Sequence, residues 1–152
     1  MRLTVYTDYS LRLLMYLSVR QERKSTIQEV ADAYGISVNH MTKVVHELAQ
    51  AGYVITTRGR SGGIAIGRPP SEIGLGEVVR HTEPDLDIVP CFDERNESCP
   101  LRRACRLKSA LDRARLAFLS VLDEYTLADL TVAPGPIRAM LGLSSGVRAG
   151  LS

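Results

Sequence analysis

Between Thr26 and Gly67 the chain carries helix caps, stops and turn residues at spacings compatible with very few folds. Thr26-Ile27-Gln28-Glu29 is a capping box: the Thr hydroxyl can cap the helix start while Glu29 reaches back to the Thr26 amide. Ile27, Val30, Ala31 and Tyr34 then share one face of a short helix, and Gly35 supplies a left-handed stop. Ser37 can cap the next helix, whose apolar residues Met41, Val44, Val45, Leu48 and Ala49 recur with helical periodicity up to Gly52. Two short helices about a tight glycine turn form a helix-turn-helix. A strand (YVITTR), a turn (GRSGG) and a return strand (IAIG) follow at once. With a helix ahead of it, this is the order of a winged helix: mainly α with one small β-hairpin.

That leading helix is expected over Thr7–Val19, with Thr7 as cap, Asp8 in the first turn and LRLLMYL apolar around much of its circumference. After the wing, Pro69-Pro70 closes the hairpin, and Ser71-Glu72 introduces a helix over Leu75–Thr82. Residues 83–90 lack periodicity and read as a loop. A long helix from Arg103 to Tyr125 has apolar residues Leu107, Leu111, Ala114, Phe118, Val121/Leu122 and Tyr125 at alternating spacings, a seam suited to an identical partner. Thr126–Asp129 repeats the cap-and-acid pattern. The expected organisation is a winged helix-turn-helix DNA-binding domain over 1–82, a cysteine-containing loop over 83–105, a dimerisation helix over 106–132 and a flexible tail over 133–152.

At 152 residues the chain can build one compact domain with an extension. No apolar run nears the roughly 18 residues of a membrane span, and the opening residues lack a signal-peptide core, so a cytoplasmic location with reduced thiols is expected. Charge is mildly polarised: residues 1–80 hold ten Lys/Arg against seven Asp/Glu, and residues 81–152 hold nine against ten. Catalysis would need an organised nucleophile and base, whereas His40, His46 and His81 fall in helical segments without an evident partner. An enzyme is not expected.

On the third helix the face opposite the apolar stripe carries Asn39, His40, Lys43 and His46. The N-terminal part of a recognition helix enters the major groove, which makes Ser37, Asn39, His40 and Lys43 candidate DNA contacts. Asn can bond an adenine edge at two points, while Lys and Ser more often hold phosphate. Arg58 and Arg60, flanking Gly59 and followed by Gly62, put two guanidinium groups on a thin hairpin tip able to reach the backbone or a minor groove. Helix and wing together point to double-stranded DNA.

All three cysteines fall within fifteen residues, CFDERNESCPLRRAC, at positions 91, 99 and 105. Structural zinc usually takes four ligands in CxxC-type pairs, which are absent. A thiol–disulfide switch leaves one of three thiols unpaired, and Arg102, Arg103 and Arg106 would favour thiolates for either redox or metal chemistry. Three unrelated buried cysteines do not suit a segment as polar as DERNES. An iron–sulfur cluster with three thiolates and one other ligand fits the count best, and the count alone does not set the cluster type.

The segments LTVYTDYSLRLLMYL, VNHMTKVVHELAQAGYV, RGRSGGI, ACRLKSAL and LDEYTLADL, together with the cysteine layout, resemble the NsrR family of nitric-oxide-sensing repressors. That family lies within a winged-helix class that includes IscR and RirA. The resemblance extends to about residue 132. It implies a homodimer on a palindromic operator and a 4Fe–4S cluster in each subunit, with 2Fe–2S as the alternative. Nitric oxide is the implied signal, releasing the operator. Cys91, Cys99 and Cys105 match the family's thiolate ligands, and Asp8 matches a carboxylate that completes the set from the other subunit. IscR-like members carry a histidine three residues after the third cysteine, where this chain has Lys108. Asp8 is the feature that separates the NsrR reading from an iron- or redox-responsive, RirA-like one.

Overall fold

The computed structural model describes residues 2–143. Helix α1 spans Val5–Val19, α2 Ile27–Tyr34 and α3 Val38–Gln50. Strands β1 (Val54–Thr57) and β2 (Gly63–Ile66) pair antiparallel, Val54 opposite Ile66 and Thr57 opposite Gly63. Helices α4 (Leu75–Thr82), α5 (Arg106–Asp123), α6 (Leu127–Leu130) and α7 (Pro134–Met140) follow. The helical module with its two-stranded hairpin is the winged-helix fold expected from the caps and turns.

The local signals act as their chemistry requires. Thr26 Oγ1 accepts from the Glu29 amide at 3.1 Å while Glu29 Oε2 accepts from the Thr26 amide at 2.7 Å. Gly35 ends α2 at φ +64, a conformation that a side chain resists. Thr126 and Asp129 form the second capping box, at α6. Helix α1 is capped one turn earlier than expected. Thr4, in extended backbone, accepts from the Thr7 amide at 3.2 Å, and Thr7 is a fully buried residue inside the helix. Ser71-Glu72 does not cap α4 either. It lies in a short 3-10 turn, Pro70–Glu72, and Gly74 precedes the helix without a side-chain cap.

One core unites the module. Leu13, Leu14 and Leu17 of α1 meet Val30 of α2 and Met41, Val44 and Leu48 of α3, closed from below by Val54, Ile64, Ile73 and Val78. Burying each such side chain stabilises the fold by about 1.5–3 kcal/mol. The chain re-enters this core after α5. The Leu75 amide donates to the Tyr125 carbonyl at 3.0 Å and the Leu127 amide to the Ile73 carbonyl at 2.8 Å, seating Leu127 in the interior. Arg80 of α4 and Asp123 of α5 form a two-pronged ion pair at 2.6 and 2.7 Å across the same junction.

The stretch 133–152, expected as a flexible tail, contains α7. Arg138 donates to the carbonyl of Val19 at 2.9 Å and pairs with Glu22 at 2.7 Å, and Leu143 is buried with α1. Composition could not show that contact, because its partners lie more than a hundred residues away. Residues 144–152, where the mobile end was expected, lie outside the described residues.

Candidate functional site

Two surfaces of the molecule carry the candidate chemistry. On the first, Ser37 caps α3, its hydroxyl accepting from the His40 amide at 3.5 Å. Ser37, Asn39, His40 and Lys43 are all exposed, at the N-terminal half of α3. Thr42 shares this face, its hydroxyl turned back onto the Val38 carbonyl at 2.8 Å. Tyr9 of α1 stands beside His40, ring centroids 6.3 Å apart. On the wing, Arg58 and Arg60 are exposed around Gly59, whose φ of +98 makes the tight turn. A side chain at Gly62 would run into the Thr57 carbonyl, so the tip can only be this thin with glycine there.

Wing and helix are held in one frame. Ser25, just ahead of α2, exchanges two backbone hydrogen bonds with Ile64, at 2.9 and 2.7 Å, extending the hairpin by a third short partner. The position of Arg58 and Arg60 relative to α3 is therefore tied to the start of α2.

The second surface is the cysteine loop. Cys91 sits in a 3-10 turn, Pro90–Phe92; the Cys99 carbonyl accepts from the Arg102 amide at 3.2 Å; and Cys105 caps α5, its sulfur accepting from the Lys108 amide at 3.3 Å. All three thiols are free and partly buried. Side chains brace the loop. Arg102 donates to the carbonyls of Glu94 and Asn96 at 2.8 and 3.0 Å, Asn96 donates to the Pro90 carbonyl at 3.1 Å, and Arg115 of α5 lies 5.4 Å from the Phe92 ring centre. Cys99 faces a cleft of about 440 Å³ with Arg102, Arg103 and Lys108 on its walls.

Among the described residues, no three His, Cys, Asp or Glu side chains converge closely enough to hold a metal ion. Asp8, in the first turn of α1, is instead paired with Arg12 at 3.0 Å on its own helix. The donor chemistry nonetheless suits an iron–sulfur group: three soft thiols free of disulfides on one loop, with Arg102, Arg103 and Lys108 close by.

Sequence inspection passed over two parts of this arrangement. Glu83 accepts from the Thr4 amide and hydroxyl at 2.8 and 3.1 Å, joining the start of the loop to the start of α1. Nothing in the sequence relates two residues 79 apart. The second is the bracing by Arg102 and Arg115, whose charge was visible while its direction was not.

Helix α5 shows a divided surface. Of its eighteen residues only Leu119 is buried, while Leu107 is 66% exposed, Leu116 and Val121 52% and the following Tyr125 45%. Leu111, Phe118 and Leu122 of the expected seam are half-buried. The outward stripe is Leu107, Ala114 and Val121, one residue per heptad.

Burial raises Tyr6, Tyr34 and Tyr53 from 10.0 to about 12, helped by Glu47 beside Tyr6 and Glu77 beside Tyr53. Glu29 falls from 4.5 to about 2, chiefly through its hydrogen bond from Arg23.

A winged helix with a polar reading face, a basic wing and a thiol loop defines a class of DNA-binding regulators, and the comparisons agree. Residues 3–133 match Rrf2, described as an iron-dependent transcriptional regulator, and the chain belongs to that family. It is 49% identical over 142 residues to the HTH-type transcriptional regulator NsrR of Shouchella clausii, covering 93% of this chain and 95% of the relative. To NsrR of Bacillus subtilis it is 52% identical over 131 residues, covering 86% and 90%. These relatives place it in the NsrR group of the family. The solved structure of CymR, the global cysteine regulator of B. subtilis, superposes with a TM-score of 0.70 at 26% identity, covering 87% of this chain and 97% of that one. The IscR structure from T. potens shares the fold, with a TM-score of 0.72 at 22% identity, covering 91% of each chain. The chain is a DNA-binding transcriptional regulator, not an enzyme, of an iron-dependent family. No helix among the described residues is long and apolar enough to cross a membrane.

Proposed function

We propose that this chain is a cytoplasmic repressor that binds a palindromic operator as a homodimer, carries a 4Fe–4S cluster in each subunit, and releases DNA in response to nitric oxide. The observation that carries the reading is the braced loop with three free, partly exposed thiols, in a chain so closely related to NsrR proteins. Cys91, Cys99 and Cys105 would hold the cluster, with Asp8 of the other subunit as fourth ligand. When bound, the cluster supplies iron to which nitric oxide can bind.

The chain's own residues account for the rest. Asn39 and His40 reach base edges while Ser37 and Lys43 hold phosphate, and Arg58 and Arg60 with Gly62 at the wing tip approach the flanking duplex. The outward stripe of α5 meets its copy, covering Leu107 and Val121. A carboxylate is a harder ligand than a thiolate, so Asp8 would be the member of the ligand set least suited to soft-donor iron chemistry. Asp8 sits in the first turn of α1, so in that role it would tie α1 of one subunit to the thiol loop of the other. Because α1 packs on α3, a displacement of α1 would change the separation of two reading helices that must fit half-sites about 34–36 Å apart.

Anaerobic titration of operator-bound protein with nitric oxide, followed by DNA anisotropy, visible absorbance and iron counting, tests the proposal. DNA release in step with loss of the cluster absorbance is expected. Release on iron limitation with indifference to nitric oxide would instead favour an iron- or redox-responsive regulator. A colourless anaerobic preparation that still binds DNA would favour a cluster-free thiol switch.

A further inference from the structure

We infer that Glu83 is a positioning residue that ties the thiol loop to the DNA-reading module, so that the state of the loop is felt at α1 and, through it, at α3. The inference rests on the regulatory reading above and adds the residue that transmits it.

Glu83 is where α4 ends and the loop begins: its amide makes the last helical bond, to the Val79 carbonyl at 2.9 Å. Its carboxylate turns to the start of α1 and accepts there from both the Thr4 amide and the Thr4 hydroxyl. Thr4 is the cap of α1. The same Oγ1 accepts from the Thr7 amide at 3.2 Å and lies 3.0 Å from the Thr7 hydroxyl. One carboxylate thus continues through a capping hydroxyl into the buried Thr7, next in sequence to Asp8. It also places negative charge at the positive end of α1.

The contact lies at the surface, between two open clefts. On one side of the Thr4–Glu83 contact lies a cavity of about 460 Å³ that reaches His40 and Lys43 of α3. On the other lies one of about 440 Å³ that reaches Leu86 and Ile88 of the loop and Arg115 and Phe118 of α5. Beneath it α1 and α4 pack through the shared core, with Thr7 and Thr82 buried, so the Glu83 carboxylate is the polar tie at the surface end of that packing. Glu83 thereby fixes the start of α1 relative to the point where the loop leaves α4.

The test uses full-length protein, metal-free and anaerobically loaded with iron and sulfide, as parent, Glu83→Ala and Glu83→Gln. Glutamine keeps an oxygen able to accept both bonds, so it serves as the rescue. Three quantities are read: visible absorbance of the loaded form, operator Kd of both forms, and amide exchange at Thr7 and Asp8 of the metal-free form. In Glu83→Ala the absorbance stays at the parent level and exchange at Thr7 and Asp8 rises about tenfold. The ratio of loaded to empty DNA affinity falls toward one by a similar factor, and Glu83→Gln restores most of both. A Glu83→Ala protein with the parent's affinity ratio overturns the inference, as does one with unchanged exchange. If the parent takes up no iron and sulfide, the proposed function fails separately. The latch is then judged on metal-free protein: faster exchange with altered DNA affinity, both rescued by glutamine, supports it, and parent-like values overturn it.

Discussion

The winged module and the segment from the thiol loop through α5 differ in what they need in order to be complete. Helices α1 to α3 bury Leu13, Leu14, Val30, Met41 and Leu48 entirely against one another. Helix α5 is longer than any of them yet buries only Leu119, and of the three thiols that precede it none is fully covered. The first region satisfies its apolar surface within the chain. The second leaves apolar and soft-donor groups uncovered, which in the proposed function are met by a copy of the same helix and a metal group. On the function proposed above, that division lets the part that reads DNA stay folded while the thiol loop changes its contents.

Substitutions can break this contrast. The largest effect is expected for Leu48→Ala, which opens a hole in the shared core and should cost about 2–5 kcal/mol, read as a lower urea midpoint. Leu107→Glu with Val121→Glu puts charge on the outward stripe. Self-association should weaken by about tenfold or more in sedimentation experiments, with the helical circular dichroism of the module unchanged. An equal loss of helix signal would show that the stripe belongs to the chain's own core. Thr26→Ala removes the hydroxyl cap of α2 and should cost about 1 kcal/mol, while the same change at Thr126 tests whether α6 depends equally on its box.

Smallest at neutral pH, but sharpest in mechanism, are the titrations. Tyr6, Tyr34 and Tyr53 have folded-state values raised from 10.0 to about 12. The stability they contribute is fully present below pH 10 and is lost as pH rises through 12. Ultraviolet absorbance should show delayed phenol ionisation, coinciding with unfolding of the module in that window. Glu29 behaves in the opposite sense: lowered to about 2, it contributes stability above pH 4.5 that disappears as pH falls toward 2. Thr26→Ala, which leaves the Arg23–Glu29 pair in place, should retain most of this acid dependence, and Arg23→Ala should lose most of it.

How far residues alone could lead depended on distance along the chain. The capping boxes at Thr26 and Thr126, the stop at Gly35 and the hairpin turn around Gly59 were legible because each is a contact between residues a few positions apart. The reading face of α3 was legible for the same reason, its stripe repeating within one helix. The thiol loop was legible only as a donor set. How the loop is braced depends on the direction taken by Arg102 inside it and on Arg115 reaching Phe92 from α5.

What the sequence by itself determined is the order of elements, the periodic faces and the supply of three thiols, because caps, glycine stops and hydrophobic spacing act locally. Tertiary structure alone decided that α1 is capped by Thr4, that α7 docks through Arg138 onto the end of α1, and that α5 turns Leu107 and Val121 outward while Phe118 faces the loop. It also decided that Glu83 reaches back across 79 residues to hold Thr4. Those choices come from packing and hydrogen bonds between segments distant in the chain, whose meeting depends on the whole core having formed.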